Sequence, residues 1–376
     1  MTSTLNTPLD MIETKAGLHD FIRDLQKETE LAVDTESNSL YAYQERVCLI
    51  QFSYPGRDVL VDPLKIDDLS PLEDVFQSIG IRKLFHGSEY DLMCLKRDFD
   101  FHFQNIADTR VSCRTLGWKQ TGLGSLLKQV FQVSVNKKYQ RANWGARPLS
   151  EEMRFYARLD THYLIPLEQH LQSELKEAGR VEEAAELCEL LVNVKAHTNG
   201  FDPDGFWNIR HARDLNPAQM AVLRELYLMR DEQARRLDRP PFKIMHDKTL
   251  MSIAQARPRS LDDLEAIDDI PASIIRRHKS RILDAVLRGM NAKPPKKPAR
   301  KPRDDVFHRH YENLHRWRKQ RGRKRGVESD IILPREIMED IAHAAPRTLD
   351  ELRPLMAPLT WRFHTYGDEI LQALRR

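Results

Sequence analysis

The stretch Leu31-Ala-Val-Asp-Thr-Glu-Ser-Asn38 places two carboxylates directly after an apolar run. The three apolar residues predict a buried strand. Asp34 and Glu36 are two residues apart, and the side chains of a strand point to the same face at every second residue. Their carboxylates can therefore converge on one point, where they repel each other unless a cation lies between them. On these two residues alone, a strand that runs into an acidic turn is an equally good interpretation.

Length and composition exclude several classes of protein. A chain of 376 residues is too long for one ordinary domain, and 41% hydrophobic residues are enough for packed cores. No run of about 18 apolar residues is present, so we expect neither a membrane span nor a membrane partner. The four cysteines show no paired spacing, which predicts buried or free thiols in a reducing compartment, and the N-terminus shows no secretory signal. We therefore expect a soluble cytoplasmic protein, and a monomer.

The first 200 residues mix predicted strands and helices, which favours an α/β domain with a mixed sheet. The pattern predicts an amphipathic helix over residues 9–29 before the first strand. It predicts further strands over residues 47–54, 58–62 and 83–86, with a hairpin turn at Tyr54-Pro-Gly-Arg57. Predicted helices begin near Gly87, Gly122 and Ser150.

Three more residues are candidates for the same site. Asp91 lies in the first turn of the helix that follows His86, where an acid often only compensates the helix dipole. Tyr156 and Asp160 are four residues apart and share one face of a later helix. Asp160 is bordered by apolar residues, and an acid in such surroundings needs a partner.

These residues, taken with their surroundings, resemble the tyrosine branch of the DEDD exonuclease superfamily and, within it, the bacterial ribonuclease D family. The resemblance rests on DxE at Asp34 and Glu36, on Asp91 within the segment His-Gly-Ser-Glu-Tyr-Asp-Leu, and on YxxxD at Tyr156 and Asp160. The Gly-Leu-Gly-Ser-Leu helix and the Trp-x-x-Arg-Pro-Leu run before YxxxD also match. Order and spacing agree over about 170 residues.

The resemblance implies a ribonuclease H-like fold and a site with two divalent ions, Mg²⁺ or Mn²⁺. Such ions lie roughly 3.5–4 Å apart and prefer oxygen ligands. By resemblance, Asp34 bridges both ions, Glu36 and Asp160 complete the site that activates water, and Asp91 binds the second ion. Tyr156 would orient the attacking water, because a phenol with a pKa near 10 is a poor base.

The family further implies hydrolysis of RNA from its 3′ end with release of nucleoside 5′-monophosphates. Its usual substrates are tRNA precursors and other small structured RNAs. Two alternatives remain open. A DNA 3′–5′ exonuclease of the same superfamily has the same five residues, and a catalytically inactive RNA-binding protein can retain the fold. The second is disfavoured because no acid of the set is missing.

The second half of the chain repeats itself with an offset of 88 residues between Ile244 and Ile332. Both copies resemble HRDC domains, which are small helical bundles. We therefore predict an exonuclease domain over residues 1–205, a first HRDC-like helical domain over 210–291, a basic proline-rich linker over 292–304 and a second helical domain over 305–376.

Positive charge is concentrated in two segments that we expect to contact RNA. Residues 293–325 have a net charge of +11, although the whole chain has only +3. A run with seven cations in ten residues, 316–325, is either a solvated face or a phosphate-binding surface. Residues 136–150 interleave cations with aromatic rings, and the alternative there is a solvated loop with Trp144 packed on the domain. The predicted RNA contacts are His86, Lys137, Lys138, Trp144, Arg147, Arg316, Arg318, Lys319 and Arg321.

Overall fold

A six-stranded mixed sheet forms the centre of the N-terminal domain. The structure, a computed structural model, describes Leu5 and residues 7–196, 200–298 and 304–375. The spatial order of the strands is β1-β4-β3-β2-β5-β6, with antiparallel pairs at β2–β3 and β3–β4 and parallel pairs elsewhere. The strands are β1 (Leu9–Ile12), β2 (Glu30–Ser37), β3 (Val47–Tyr54), β4 (Arg57–Val61), β5 (Arg82–Phe85) and β6 (Ile106–Asp108).

The prediction of one helix over residues 9–29 was wrong at its beginning. Residues Leu9–Ile12 form β1, which pairs in parallel with β4, and the helix starts only at Lys15. Thr14, two residues after the end of β1, caps the helix, since its Oγ1 accepts a hydrogen bond from the Gly17 amide at 3.2 Å. A strand of four residues gives no readable alternation, and its partner lies far along the chain.

The described residues of this domain also form helices that pack around the sheet. They are α1 (Lys15–Leu25), α2 (Glu73–Gln77), α3 (Glu89–Phe99), α4 (Thr109–Leu116), α5 (Leu123–Phe131), α6 (Glu151–His162), α7 (Leu164–Glu177) and α8 (Val181–Leu191). One core lies between the sheet and α1, α2 and α3, and includes Phe52 and Phe76, whose rings stack at 6.1 Å. A second core on Ala32 and Leu84 receives α4, α5 and α7.

The two copies of the repeat are two all-helical domains with matching elements. The first contains α9 (Pro217–Arg236), α10 (Pro241–Ile244), α11 (Asp247–Ala256), α12 (Leu261–Glu265) and α13 (Ala272–Asn291). The second contains α14 (Asp305–Arg325), α15 (Ser329–Ile332), α16 (Arg335–Ala344), α17 (Leu349–Leu352) and α18 (Thr360–Leu374). All five helix starts, those of α9 to α13, recur 88 residues later, so the repeat predicted from the sequence is confirmed.

The chain divides into two compact units that do not follow the predicted domain order. One unit comprises Met1–Ser37, Val47–His197 and Pro302–Arg376, so it combines the sheet domain with the second helical domain. The other comprises Asn38–Arg46 and Thr198–Lys301. In that unit, Tyr43 donates a hydrogen bond from its hydroxyl to Asp231 of α9 at 2.7 Å. The domain boundaries themselves stay a prediction.

Residues 292–298 form neither helix nor strand, and residues 299–303 of the predicted linker lie outside the described residues. Among the helices of the described segments, none has both the length and the apolar character that a bilayer crossing requires.

Candidate active site

Asp34 and Glu36 lie on strand β2, which is held by a neighbouring strand on each side. It lies between β3 and β5 in the sheet, and its preceding residues Ala32 and Val33 are fully buried. Asp34 pairs with Gln51 and Glu36 with Leu49 on β3, before the register shifts at Ser37. Because the ladder is regular up to that point, the two carboxylates emerge on the same face of the strand.

Asp91 enters the site from the first turn of α3. Its carboxylate accepts a hydrogen bond from the hydroxyl of Thr35, the residue between Asp34 and Glu36. The buried carboxylate of Asp108 stabilises the turn before α3, because it accepts hydrogen bonds from the amides of Gly87 and Ser88 at 2.7–3.0 Å. Gly87 has a φ of +79°, a left-handed conformation that favours glycine. The position of Asp91 therefore depends on Asp108 as well as on its own helix.

Helix α6 presents Tyr156 and Asp160. Ser150 caps this helix as predicted, and its Oγ accepts a hydrogen bond from the Met153 amide at 3.2 Å. An ion-pair network ties the helix to the sheet. Arg158 donates to Asp58 of β4 at 2.5 Å, and the same carboxylate contacts His162 Nδ1 at 2.9 Å. Burial raises the pKa of Asp58, but hydrogen bonds from His162 and Ser53 and the charge of Arg158 lower it overall.

The four carboxylates interact strongly with one another. Burial raises the pKa of Asp34 well above its usual range, and the charges of Asp91, Asp160 and Glu36 raise it further. Glu36 shows the same shift for the same reasons, with Asp160 and Asp91 as its charged neighbours. Burial raises the pKa of Asp91 to about 7, although the Thr35 hydrogen bond opposes the change. Burial and the charge of Asp91 raise the pKa of Asp160 to about 8.

Such a set of carboxylates is suited to divalent cations. All four groups offer only oxygen ligands, which Mg²⁺ and Mn²⁺ prefer, and a cation between them would relieve the repulsion that raises their pKa values. Within the described part of the chain, no group of three or more His, Cys, Asp or Glu side chains is spaced closely enough to hold a metal ion without rearrangement. The chemistry of the four donors nevertheless fits a divalent cation.

Tyr156 packs among aromatic side chains beside the acids. Its ring centroid lies 5.9 Å from that of Tyr139 and 6.1 Å from that of Trp144. Burial raises the pKa of its hydroxyl, and the charges of Asp160, Glu36 and Asp34 add to that shift. The phenol therefore stays protonated and can orient a water molecule by hydrogen bonding, but it cannot act as a base.

Several predicted RNA contacts of the sheet domain have other partners. Trp144 is 1% exposed and belongs to the core beneath Tyr156, so the alternative reading of a packed tryptophan is the one the structure favours. Arg147 donates to both oxygens of buried Asp62 at 2.6 and 2.7 Å and to the Cys48 carbonyl oxygen. His86 is half-buried, with Nδ1 2.8 Å from the Thr109 hydroxyl. Lys137 and Lys138 are exposed on the segment Lys137–Arg141.

The predicted RNA contacts on helix α14 are of two kinds, those with partners inside the domain and those exposed to solvent. Arg318 is 7% exposed and donates to the Leu333 carbonyl oxygen at 2.8 Å, and Arg321 forms an ion pair with Glu369. Both arginines therefore have partners within the second helical domain, and their contact with RNA stays a prediction. Arg316 and Lys319 are exposed and stay predictions.

Sequence reasoning missed residues that position the site without belonging to its motifs. Asp108 and the Asp58–Arg158 pair are buried and act through hydrogen bonds. Only Asp108 left a readable signal, because an Asp before a helix start predicts an N-cap, and its carboxylate indeed accepts from the Arg110 and Val111 amides.

Comparison with known proteins identifies the domains of the chain. The family model described as 3′-5′ exonuclease matches residues 9–176, and the HRDC domain model matches residues 219–286 and 308–374. Ribonuclease D of Cronobacter turicensis is 30% identical over 279 residues, which are 73% of this chain and 74% of that protein. The Caenorhabditis elegans exosome complex component 10 homolog is 32% identical over 301 residues, 78% of this chain and 34% of that protein.

A solved structure extends the likeness to the whole fold. Escherichia coli RNase D aligns with a TM-score of 0.68 and 23% identity, covering 99% of this chain and 99% of that one. The chain spans less than half the length of five of the curated relatives that it matches, from 19% to 46% of each. With its 3′-5′ exonuclease domain, its paired HRDC domains and its match to most of a ribonuclease D, the chain belongs to the ribonuclease D family.

Proposed function

We propose that the protein is a metal-dependent 3′→5′ exoribonuclease that hydrolyses phosphodiester bonds from the RNA 3′ end and releases nucleoside 5′-monophosphates. The observation that supports this most is the mutual repulsion of Asp34, Glu36, Asp91 and Asp160, whose pKa values are all raised. Side chains that disfavour their own charged form in the free protein are suited to a cationic ligand. Membership of the ribonuclease D family supports the reaction and the RNA substrate.

The proposed metal site takes two divalent ions, Mg²⁺ or Mn²⁺, between these carboxylates. Asp34 would bind both ions, Glu36 and Asp160 would bind the ion on the water side, and Asp91 the other. When bound, such a pair lowers the pKa of water and neutralises the charge on the reacting phosphate. The hydrogen bond from Thr35 fixes the rotation of the Asp91 carboxylate and leaves its second oxygen for an ion.

The protein's own contribution is to orient the reactants. Tyr156 keeps its proton, so its hydroxyl can donate a hydrogen bond to, or accept one from, the attacking water. The Arg158–Asp58 pair fixes α6, and thereby the distance of Tyr156 and Asp160 from β2. A cleft of about 590 Å³ next to Tyr156, lined also by Tyr139, Phe155 and Leu159, offers apolar surface for a terminal nucleotide.

We propose tRNA precursors and other small structured RNAs with a free 3′ end as substrates. The exposed cations Lys137, Lys138, Arg316 and Lys319 would contact phosphates. Such contacts predict that RNA affinity falls steeply between low and moderate salt. An affinity that does not change with salt would exclude these cations as the main RNA contacts.

The reaction is tested with matched RNA and DNA strands that have the same sequence and a 5′ label. We expect stepwise shortening of the RNA in the presence of Mg²⁺ or Mn²⁺, and no shortening by an Asp34→Asn variant with an unchanged circular dichroism spectrum. Faster cleavage of the DNA strand would instead indicate a DNA exonuclease, and full activity of the variant would contradict the assignment of Asp34.

We also propose a cytoplasmic, monomeric protein. Cys48, Cys94, Cys113 and Cys188 are buried thiols that form no disulfide, which suits a reducing compartment. Cell fractionation and light scattering of the purified protein test the two statements separately. A periplasmic location or a stable dimer at micromolar concentration would contradict them.

A further inference from the structure

The second helical domain contacts the sheet domain through one face, which includes the end of α14, the start of α15 and the start of α18. Its partners there are helices α4 and α8, within one compact unit. The two copies of the repeat can be compared position by position, because all their helix starts recur after 88 residues. Differences between the copies at this face therefore indicate what the first copy contacts with it.

Helix α8 is held by two arginines of the second copy. Arg325, the last residue of α14, donates to both oxygens of Glu183 at 2.6 and 2.7 Å. Arg362, in the first turn of α18, donates to Glu186 at 2.8 Å. Leu190 of the same helix packs against the core of the second copy. Positions i, i+3 and i+7 lie on one helix face, so the face of α8 that is docked carries two carboxylates and one apolar side chain.

Helix α4 adds a second pair of charged contacts. Arg114, near the end of α4, forms ion pairs with Glu328 and Asp330 at the start of α15. The second copy therefore docks on the sheet domain through two arginines and two acids.

None of these four docking residues recurs in the first copy. The residues that precede Arg325, Glu328, Asp330 and Arg362 by 88 positions are Leu237, Pro240, Phe242 and Ile274. Every charged docking residue of the second copy thus corresponds to an apolar residue of the first. The surface formed by α4 and α8 is complementary to the second copy and not to the first.

These apolar side chains are in contact with solvent. Leu237 is 42% exposed, Phe242 is 41% exposed, and Ile274 is half-buried. All three line one open groove of about 720 Å³ between the end of α9, helix α10 and the start of α13. Exposed apolar residues are ordinary when they are scattered singly, whereas several that converge on one groove indicate an interaction site.

The same groove has a basic lining. No Asp or Glu lines it among the residues that the structure describes. Its exposed cations are Arg236, Arg239, Lys243 and Arg277. A partner that covers the apolar residues would therefore gain from carboxylates at its edges.

A buried histidine of the lining has an unsatisfied polar atom. His278 is 7% exposed, and its Nδ1 has no hydrogen-bond partner in the described part of the chain. Tyr366, which is 88 residues further on, has a partner at the docked face, since Arg325 donates to its hydroxyl at 2.8 Å. Buried polar atoms are nearly always partnered, so the unsatisfied atom also indicates that this face of the first copy takes a ligand.

We propose that this groove docks an acidic, amphipathic helix of a partner protein, an inference that is independent of the proposed function. A helix with apolar residues at i, i+3, i+4 and i+7 lays that stripe into an apolar groove, and its flanking carboxylates would pair with the arginines. The second copy already docks a helix, α8, with the corresponding face. An RNA strand would use the cations but would leave Leu237 and Ile274 uncovered, because aliphatic side chains offer neither a donor nor a flat ring.

The test measures binding of two fluorescent 16-residue peptides to the full chain by anisotropy. The probe has leucines at i, i+3, i+4 and i+7 with glutamates on both flanks, and the control peptide has the same composition in scrambled order. Leu237→Ala with Phe242→Ala changes the groove. Leu287→Ala with Val306→Ala is the matched control variant, because these apolar residues are 60% and 53% exposed and lie outside the groove.

We expect the wild type and the matched control variant to bind the probe with equal affinity, within about twofold. The groove variant should bind at least about tenfold more weakly, which is about 1.4 kcal/mol. Arg236→Glu with Arg277→Glu should weaken binding by at least about threefold at low salt and by less at high salt. Equal affinity of the groove variant and its control, equal binding of the scrambled peptide, or no binding of the probe at 1 mM would overturn the proposal.

A further arm separates a protein partner from RNA. Binding of a 20-nucleotide single-stranded RNA in EDTA should be the same, within about twofold, for the wild type and the groove variant. The RNA should not displace the probe peptide. A larger loss of RNA affinity in the groove variant, or displacement of the peptide by RNA, would assign the groove to nucleic acid and overturn the proposal.

Discussion

Replacing Asp160 by Asn should stabilise the protein in the absence of divalent ions, and increasingly so as the pH rises. The pKa of Asp160 is raised from an ordinary value of 3.8 to about 8 by burial and by Asp91. A carboxyl whose pKa is raised by folding binds its proton more tightly in the folded state. Its contribution to stability is therefore fully present below pH 4 and is lost as the pH rises toward 8. Asn has no acidic proton and stays neutral at every pH in this range, so the variant avoids this loss of stability.

The size of the effect follows from the pKa shift. At 1.36 kcal/mol per pKa unit, the shift sets a ceiling of about 5 kcal/mol at pH 8. The electrostatic repulsion that raises the pKa of Asp160 is shared with Asp91. Asp160 is also only half-buried, so solvent and side-chain rearrangement reduce the gain in stability. We expect a gain of about 1–3 kcal/mol at pH 8, or roughly 2–8 °C in melting temperature. At pH 5 most of the gain should be absent.

Differential scanning fluorimetry in EDTA, at pH 5 and pH 8, measures this gain. Added Mg²⁺ or Mn²⁺ should raise the melting temperature of the wild type at pH 8 more than that of the variant, because the variant has lost a metal ligand. Glu152→Gln on the exposed first turn of the same helix α6 is a matched control that should show neither effect. A variant that is less stable than the wild type by the same amount at both pH values would refute the electrostatic reasoning.

Three further substitutions separate chemistry from structure. Tyr156→Phe removes the hydroxyl but keeps the ring contacts with the aromatic neighbours. We therefore expect kcat to fall by about 10–100-fold while KM and melting temperature stay constant, and an unchanged kcat would exclude a role for the hydroxyl. Arg158→Met leaves buried Asp58 without its arginine, and urea titration should show a loss of about 2–4 kcal/mol; a loss below about 1 kcal/mol would mean that the pair does not anchor α6. Trp144→Ala should reduce the free energy of unfolding by about 3–5 kcal/mol and leave the RNA affinity of the folded protein unchanged; reduced affinity at constant stability would restore the stacking role.

The motifs of the site could be read from the sequence because each depends on local spacing. Asp34 and Glu36 share a strand face, and Tyr156 and Asp160 share a helix face, whatever surrounds them. The helical repeat was readable for the same reason, since corresponding residues recur at a constant offset. The mixed sheet with its two helical domains was therefore predictable before the structure.

The remaining features depend on partners far along the chain. Strand β1 exists because it pairs with β4, in which each partner lies 49 residues further along the chain. Arg147 was predicted to bind RNA, and its guanidinium forms an ion pair with Asp62, the residue that follows β4; composition alone cannot distinguish the two uses. The same holds for Arg318, whose partner is a backbone carbonyl, and for Trp144, whose burial depends on how α6 packs.

We propose that four acids, far apart in the sequence, form one metal-dependent centre that removes nucleotides from the RNA 3′ end. The most direct measurement incubates a 5′-labelled tRNA with an extended 3′ end and resolves product lengths with time. We predict a ladder that shortens by single nucleotides from the 3′ end with Mg²⁺ or Mn²⁺, and no shortening in EDTA or with Asp34→Asn. Shortening that persists in EDTA, or that persists in the Asp34→Asn protein, would contradict it.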